Sequence, residues 1–262
     1  MKVSKYKTFK RMDIIQQGHV NTTINSGIAT ISFFHPAHNS LPSNLLSALV
    51  EQITAAGNDP SVKVIVLRSE GEKTFCAGAS FDELKAVQDL ESGKKFFSGF
   101  ANVINAMRKC PKFIIGRIHG KAVGGGVGLA AAADYSLATV NATIKLSELA
   151  IGIGPFVIGP AVERKMGLSA FSQLAINATE WCTADWAKEK GLFTEVFEST
   201  ERLDAYIAYL AEKLVNSSPE AMQQLKAVLW QGTEHWDTLL YERAAISGQL
   251  ILSDFAKKAI AK

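Results

Sequence analysis

An α/β chain with a helical tail is predicted from three observations. Apolar strand-like runs recur at Ile28–Phe34, Val62–Leu67 and Phe113–Ile118, helical stretches lie between several of them, and beyond about Thr183 strand signals give way to successive helices. The 262 residues suffice for one large domain, or a main domain with a helical appendage, around a sizeable core. The boundary is expected near residue 200, with a folded core over 12–200 and a helical segment over 201–262.

Taken in order, Lys2, Lys5, Lys7, Lys10 and Arg11 precede the first acid, Asp13. No apolar run follows them, so they read as a solvated leader rather than a targeting signal, and Met12 is taken as the start of the folded part. After the Ile28–Phe34 strand, Ser43 is expected to cap a helix to about Asn58 with Leu45, Leu46, Leu49, Val50 and Ile53 on one face. A second helix is expected from Gly93 to Cys110. Its Phe96, Phe97, Phe100, Val103, Ile104 and Met107 recur at helical spacing and read as core. Shorter strands are expected at Tyr135–Thr139, Thr143–Leu146 and Leu192–Val196. The tail reads as helices over Ala184–Lys190, Glu201–Asn216, Pro219–Trp230 and Thr238–Leu252, and Pro219 after two serines is a favoured helix start.

Composition excludes several classes. Hydrophobic residues make up 47% and charged residues 20%, ordinary globular usage. With 28 basic against 25 acidic side chains the net charge is only +3, and nucleic acid is not an expected partner. Cys76, Cys110 and Cys182 are far apart and lack metal-ligand spacing, so neither a disulfide framework nor a metal site is expected, and a reducing, cytoplasmic compartment is. The longest uncharged runs, 122–133 and 149–162, fall short of the roughly 20 residues of a membrane helix, and no membrane partner is expected.

Two glycine-containing segments each follow a predicted strand: Thr74-Phe75-Cys76-Ala77-Gly78-Ala79-Ser80, and Gly120-Lys121-Ala122-Val123-Gly124-Gly125-Gly126-Val127-Gly128. The second opens an Ala-rich helix, whose first N–H groups would favour an anion. It is not a P-loop, because Lys121 precedes the glycines and Val127 follows Gly126. Nor is it the dinucleotide fingerprint, because Leu129 stands where the last glycine should be. Acid–base chemistry at carbon calls for a carboxylate in apolar surroundings. Glu148 fits, as the only acid between Asp134 and Glu163, although composition alone favours reading a lone glutamate there as a surface residue or a partner for Lys145.

These segments, with Phe81 and Leu84 after the first, Ile118-His119 before the second and Glu148 through Gly154, resemble the crotonase superfamily of enoyl-CoA hydratases and isomerases, over roughly Ile28 to Asp254. The resemblance implies a spiral of ββα units followed by C-terminal helices that assemble homotrimers or hexamers. It also implies an acyl-CoA thioester substrate, with coenzyme A as part of that substrate and no separate cofactor. Ala79 N–H and Gly125 N–H are the implied oxyanion hole, with Glu148 as catalytic carboxylate. Ala77, Phe81, Gly124 and Phe156 are implied at the substrate, and Phe255 and Lys258 at coenzyme A. Departures matter as much. Gly128 stands where hydratases carry a first glutamate, Phe156 where some members carry an aspartate, and Ser80 where the family often has Asp. A basic segment near the coenzyme is replaced by Phe34-His35-Pro36-Ala37-His38-Asn39. A single glutamate implies a shift of a 3-enoyl-CoA double bond to 2-enoyl-CoA. The alternatives are a hydratase of short or branched enoyl-CoA, such as methylglutaconyl-CoA, and a non-catalytic acyl-CoA- or RNA-binding protein. His119 is expected to be structural, and His235 and Trp236 to lie in a turn.

Overall fold

The computed structural model describes residues 17–261; the basic leader and Met12 lie outside the described residues. The chain opens with a hairpin of β1 (His19–Asn25) and β2 (Ile28–Phe34), turning through Ser26 and Gly27, both at positive φ. Then follow α1 (Ser43–Asn58), β3 (Val64–Ser69), β4 (Thr74–Cys76), α2 (Phe81–Lys85) and α3 (Leu90–Lys109). The next turns are β5 (Phe113–Ile118), β6 (Lys121–Val123) and α4 (Gly125–Ala132), then β7 (Tyr135–Thr139), β8 (Ile144–Lys145), a 3₁₀ turn at Leu149–Ile151 and α5 (Gly159–Ile176). α6 (Ala184–Glu189), β9 (Glu195–Phe197), α7 (Thr200–Val215), α8 (Pro219–Leu229), α9 (Trp236–Leu250) and α10 (Asp254–Ile260) complete it.

Each ββα turn sends its first strand to one sheet and its second to another. The larger sheet runs β1-β2-β3-β5-β7-β9, with β1 antiparallel to β2 and the remaining neighbours parallel; the smaller runs β4-β6-β8, all parallel. This is the expected spiral. β3 and β5 are buried nearly throughout, as central parallel strands covered on both faces must be. One face meets α1 and α3, with Leu49, Ile53, Ile104 and Met107 fully buried against Ile31 and Leu67. The other is covered by α7, whose Leu203, Ile207 and Ala211 pack on Val64, Val66, Ile115 and Leu137, and Asp204 of that helix accepts from Arg117 on β5.

Several elements differ from the sequence expectation. β1 is an additional strand, and as an exposed edge it shows little burial alternation. α5 is an additional helix, whose path bends at Gly167. Ser43 is the first helical residue rather than the cap; its N–H and hydroxyl are held instead by the Glu83 carboxylate, at 2.9 and 2.6 Å. α3 starts at Leu90 because Asp89 and Ser92 form a capping box there. Trp236 is buried against Trp230 and opens α9.

Two further buried contacts, besides the packing of α7, fasten the C-terminal helices to the spiral. Gly93 of α3 and Gly248 of α9 cross so closely that a Cβ on Gly93 would stand 2.8 Å from the Gly248 Cα. Lys226 of α8 is buried with its ammonium 2.8 Å from Asp134 Oδ2, and it also donates to the carbonyls of Met107 (3.0 Å) and Lys112 (2.8 Å). Asp134 accepts in addition from Trp230 Nε1 and the Ile114 N–H, each at 2.7 Å, so every charge in the cluster is partnered. Removing one partner leaves the other charge orphaned. Lys226→Met is therefore expected to cost about 3–5 kcal/mol in denaturant unfolding. Arg202→Ala, which breaks the exposed Arg202–Glu198 pair, should leave the midpoint almost unchanged.

Candidate active site

The loops after β4, β6 and β8 meet around an apolar cavity of about 90 Å³. β4 delivers Ala77, Gly78 and Ala79 to its edge. Gly78 takes φ +89°, and its carbonyl accepts from the Leu41 N–H at 2.8 Å, which pins the segment to the residues before α1. Ser80 then caps α2 by accepting from the Glu83 N–H. β6 delivers Gly124, whose N–H donates to the Lys145 carbonyl at 2.9 Å and whose φ of +52° with ψ of −115° turns the chain into α4. A side chain at this backbone conformation is strained.

The two segments lie against each other. A Cβ added to Gly78 would stand 3.5 Å from the Gly125 nitrogen, and one added to Gly126 would stand 2.4 Å from the Cys76 carbonyl oxygen. Among the described residues, neither the Ala79 nor the Gly125 N–H has a hydrogen-bond acceptor, and both residues line the cavity. Gly125 is also the first residue of α4, so the helix dipole reinforces its donor.

Glu148 enters from the third turn of the spiral. Its carbonyl accepts from the Ile151 and Ile153 N–H groups at 3.2 and 3.1 Å, and Gly152 in the left-handed conformation closes the loop. The residue is half-buried as a whole, but its carboxyl end points inward: Oε2 is buried without a partner among the described residues. The side chain passes Gly124, where a Cβ would come within 2.8 Å of Oε1. Burial raises the carboxyl to a pKa of about 7, only partly offset by its own N–H.

Ala77, Phe81, Gly124 and Phe156 all line the cavity together with Ala79, Gly125 and Glu148. Phe255 and Lys258 do not: both are exposed on α10, and the Phe255 ring lies against Gly152 behind the loop. His119 stands apart from the cavity, buried and neutral. Its pKa is lowered to about 4 by burial and by Arg117 and Arg68. Phe96, Phe97 and Phe100, read from spacing as core, form one cavity wall, so that stripe is both core and lining. Sequence reasoning missed Ile158 and Ser247. The signal for Ile158 was Gly128: a Cβ there would fall 2.5 Å from Ile158 Cγ2, so the isoleucine occupies the space a side chain at 128 would need. Ser247 arrives on α9, through the Gly93–Gly248 crossing, and no local motif marks it.

A ββα spiral with two free amides and one buried carboxyl around a small apolar cavity has the architecture of a crotonase-type protein. The chain belongs to the enoyl-CoA hydratase/isomerase family, whose model matches residues 23–260. It is similar to the mitochondrial methylglutaconyl-CoA hydratase of Mus musculus, 34% identical over 202 residues that cover 75% of this chain and 63% of that protein. It is also similar to the short-chain-enoyl-CoA hydratase of Clostridium acetobutylicum, 29% identical with 89% of each chain covered. The fold matches the crystal structure of an enoyl-CoA hydratase from Bacillus halodurans with a TM-score of 0.85 at 22% identity, covering 92% of this chain and 98% of that one. No helix among the described residues is long and apolar enough to cross a membrane.

One consequence is spectroscopic. In protein carrying ¹³C-carboxyl glutamate, one resonance is expected to titrate near pH 7 and to vanish in Glu148→Gln. A set of resonances titrating only near 4.5 would contradict the burial described above.

Proposed function

We propose that the protein isomerises a 3-enoyl-CoA to the 2-enoyl-CoA, with Glu148 as the only acid–base group. The observation that carries this reading is that Glu148 is the sole titratable side chain lining the cavity among the described residues, while the first-glutamate position is Gly128, backed by Ile158. In this reading the thioester carbonyl oxygen accepts from Ala79 N–H and Gly125 N–H. Those two donors lower the energy of the negative charge that develops on oxygen. The Glu148 carboxylate removes a proton from C2, the electron pair delocalises into the carbonyl as a dienolate, and the Glu148 carboxyl returns the proton at C4. No water enters and no proton is lost on balance. A pKa of about 7 suits both halves, since the group must accept and then donate near neutral pH.

Hydration is the second reading, favoured by the similarity to methylglutaconyl-CoA hydratase and short-chain-enoyl-CoA hydratase. It asks Glu148 alone to activate water, in a cavity whose other lining groups are mostly apolar. Assembly as a trimer or hexamer through the C-terminal helices goes with either reading. Leu225, Val228 and Leu229, each at least half exposed on α8, support it.

Incubation of 3-butenoyl-CoA with the protein in deuterated water, followed by mass analysis, separates the two reactions. The expected product is 2-butenoyl-CoA, formed on the order of 10²–10⁴-fold more slowly by Glu148→Gln. Because the base works as the carboxylate, kcat/KM should fall about tenfold per pH unit below about 7 and level off above it. A 3-hydroxyacyl-CoA as the initial product from a separately supplied 2-enoyl-CoA, with no isomerisation, contradicts the proposal.

A further inference from the structure

The acyl end of the cavity has a second property, independent of which reaction Glu148 performs. Of its walls, Phe97 and Phe100 come from α3, Phe156 and Ile158 from the segment leading into α5, and the single ionisable group is Glu148 itself. Ile158 fills the space beside Gly128, with Cγ2 2.5 Å from where a Cβ would stand, and the Phe100 ring lies over Gly125, with Cζ 2.2 Å from a Cβ there. Both contacts take volume from the cavity on the side of α4. About 90 Å³ remains. A closed apolar cavity of about 150 Å³ takes one six-carbon benzene, so the smaller space here suits a shorter acyl group.

Charge selects as strongly as size. Among the described residues no Lys, Arg or His lines this cavity, and Oε2 of Glu148 is already buried without a partner. A second carboxylate there would meet a like charge and no compensating cation, and with the Ala79 and Gly125 amides taken by the thioester the donors left are hydroxyls such as those of Ser147 and Ser247. A dicarboxylic acyl group, of which methylglutaconyl is one, is therefore disfavoured, although a relative named for that substrate is 34% identical to this chain.

We infer that Ile158 and Phe100 restrict the site to short, uncharged acyl thioesters, and that the chain rejects acyl groups ending in a carboxylate. The inference rests on the acyl-CoA reading above, and binding separates the two. Dissociation constants are measured by calorimetry for butyryl-CoA, octanoyl-CoA, glutaryl-CoA and free coenzyme A. Butyryl-CoA is expected to bind at least tenfold more tightly than either of the other thioesters. In Ile158→Ala and Phe100→Leu, each checked for a folded circular dichroism spectrum, the octanoyl preference should rise by about tenfold relative to butyryl while glutaryl stays weak. Glutaryl-CoA binding as tightly as butyryl-CoA overturns the charge argument. Octanoyl-CoA binding as tightly in the unaltered protein overturns the size argument. If no thioester binds better than free coenzyme A, the acyl-CoA reading fails and this inference falls with it.

Discussion

The close approach of two backbone segments, one at Gly78 and one at Gly124 through Gly126, is the contact on which the rest of the site depends. With a Cβ on Gly126 the Cys76 carbonyl would be 2.4 Å away, so a side chain there would force α4 away from the end of β4. Only the absence of side chains lets a helix N-terminus rest on a strand end. That seating brings the Ala79 and Gly125 amides to the same cavity, and neither has an acceptor among the described residues. Gly125 is buried and Ala79 half-buried, and a buried donor left without an acceptor costs stability. An oxygen carrying developing negative charge is the group such donors suit best.

Desolvation ties the carboxyl to the same constraint. Glu148 passes directly over Gly124, so the glycine that allows the turn into α4 also allows the carboxyl its path into the cavity. Once inside, it finds aromatic and aliphatic walls, and burial raises its pKa to about 7. His119 shows the opposite sign of the same effect, since burial beside Arg117 and Arg68 disfavours its cationic form and keeps it neutral. The two residues divide cleanly: the acid is poised to exchange a proton at neutral pH, and the histidine is not.

Legibility in the sequence followed the range of the interactions involved. The central strands and the amphipathic α1, α3 and α7 were visible because each buries one regular face or both. β1 was not, since an edge strand with most of its residues half or fully exposed has little pattern to read, and α5 was hidden by the bend at Gly167. For the site, the glycine segments could be read as places of close backbone approach and Glu148 as an isolated acid in apolar sequence, while the roles of Ala79, Gly125 and Glu148 came from the resemblance. The cavity's floor and far wall could not. Ile158 is 30 positions from the glycine whose space it fills, and Ser247 reaches the cavity only through a helix crossing set by Gly93 and Gly248. Phe255 and Lys258, carried by the resemblance alone, stand outside the cavity lining on α10.

In the proposed chemistry, two backbone amides converge on a thioester carbonyl beside one buried carboxyl. Raman difference spectroscopy of butyryl-CoA with ¹³C at the carbonyl, bound to Glu148→Gln, reads that contact without any turnover. The carbonyl stretch is expected at a lower frequency than for the same thioester in water, because two donors in a dry site polarise the bond more than solvent does. A stretch at or above the aqueous frequency would mean that Ala79 and Gly125 do not hold the carbonyl, and the assignment of this cavity as an oxyanion site would be wrong.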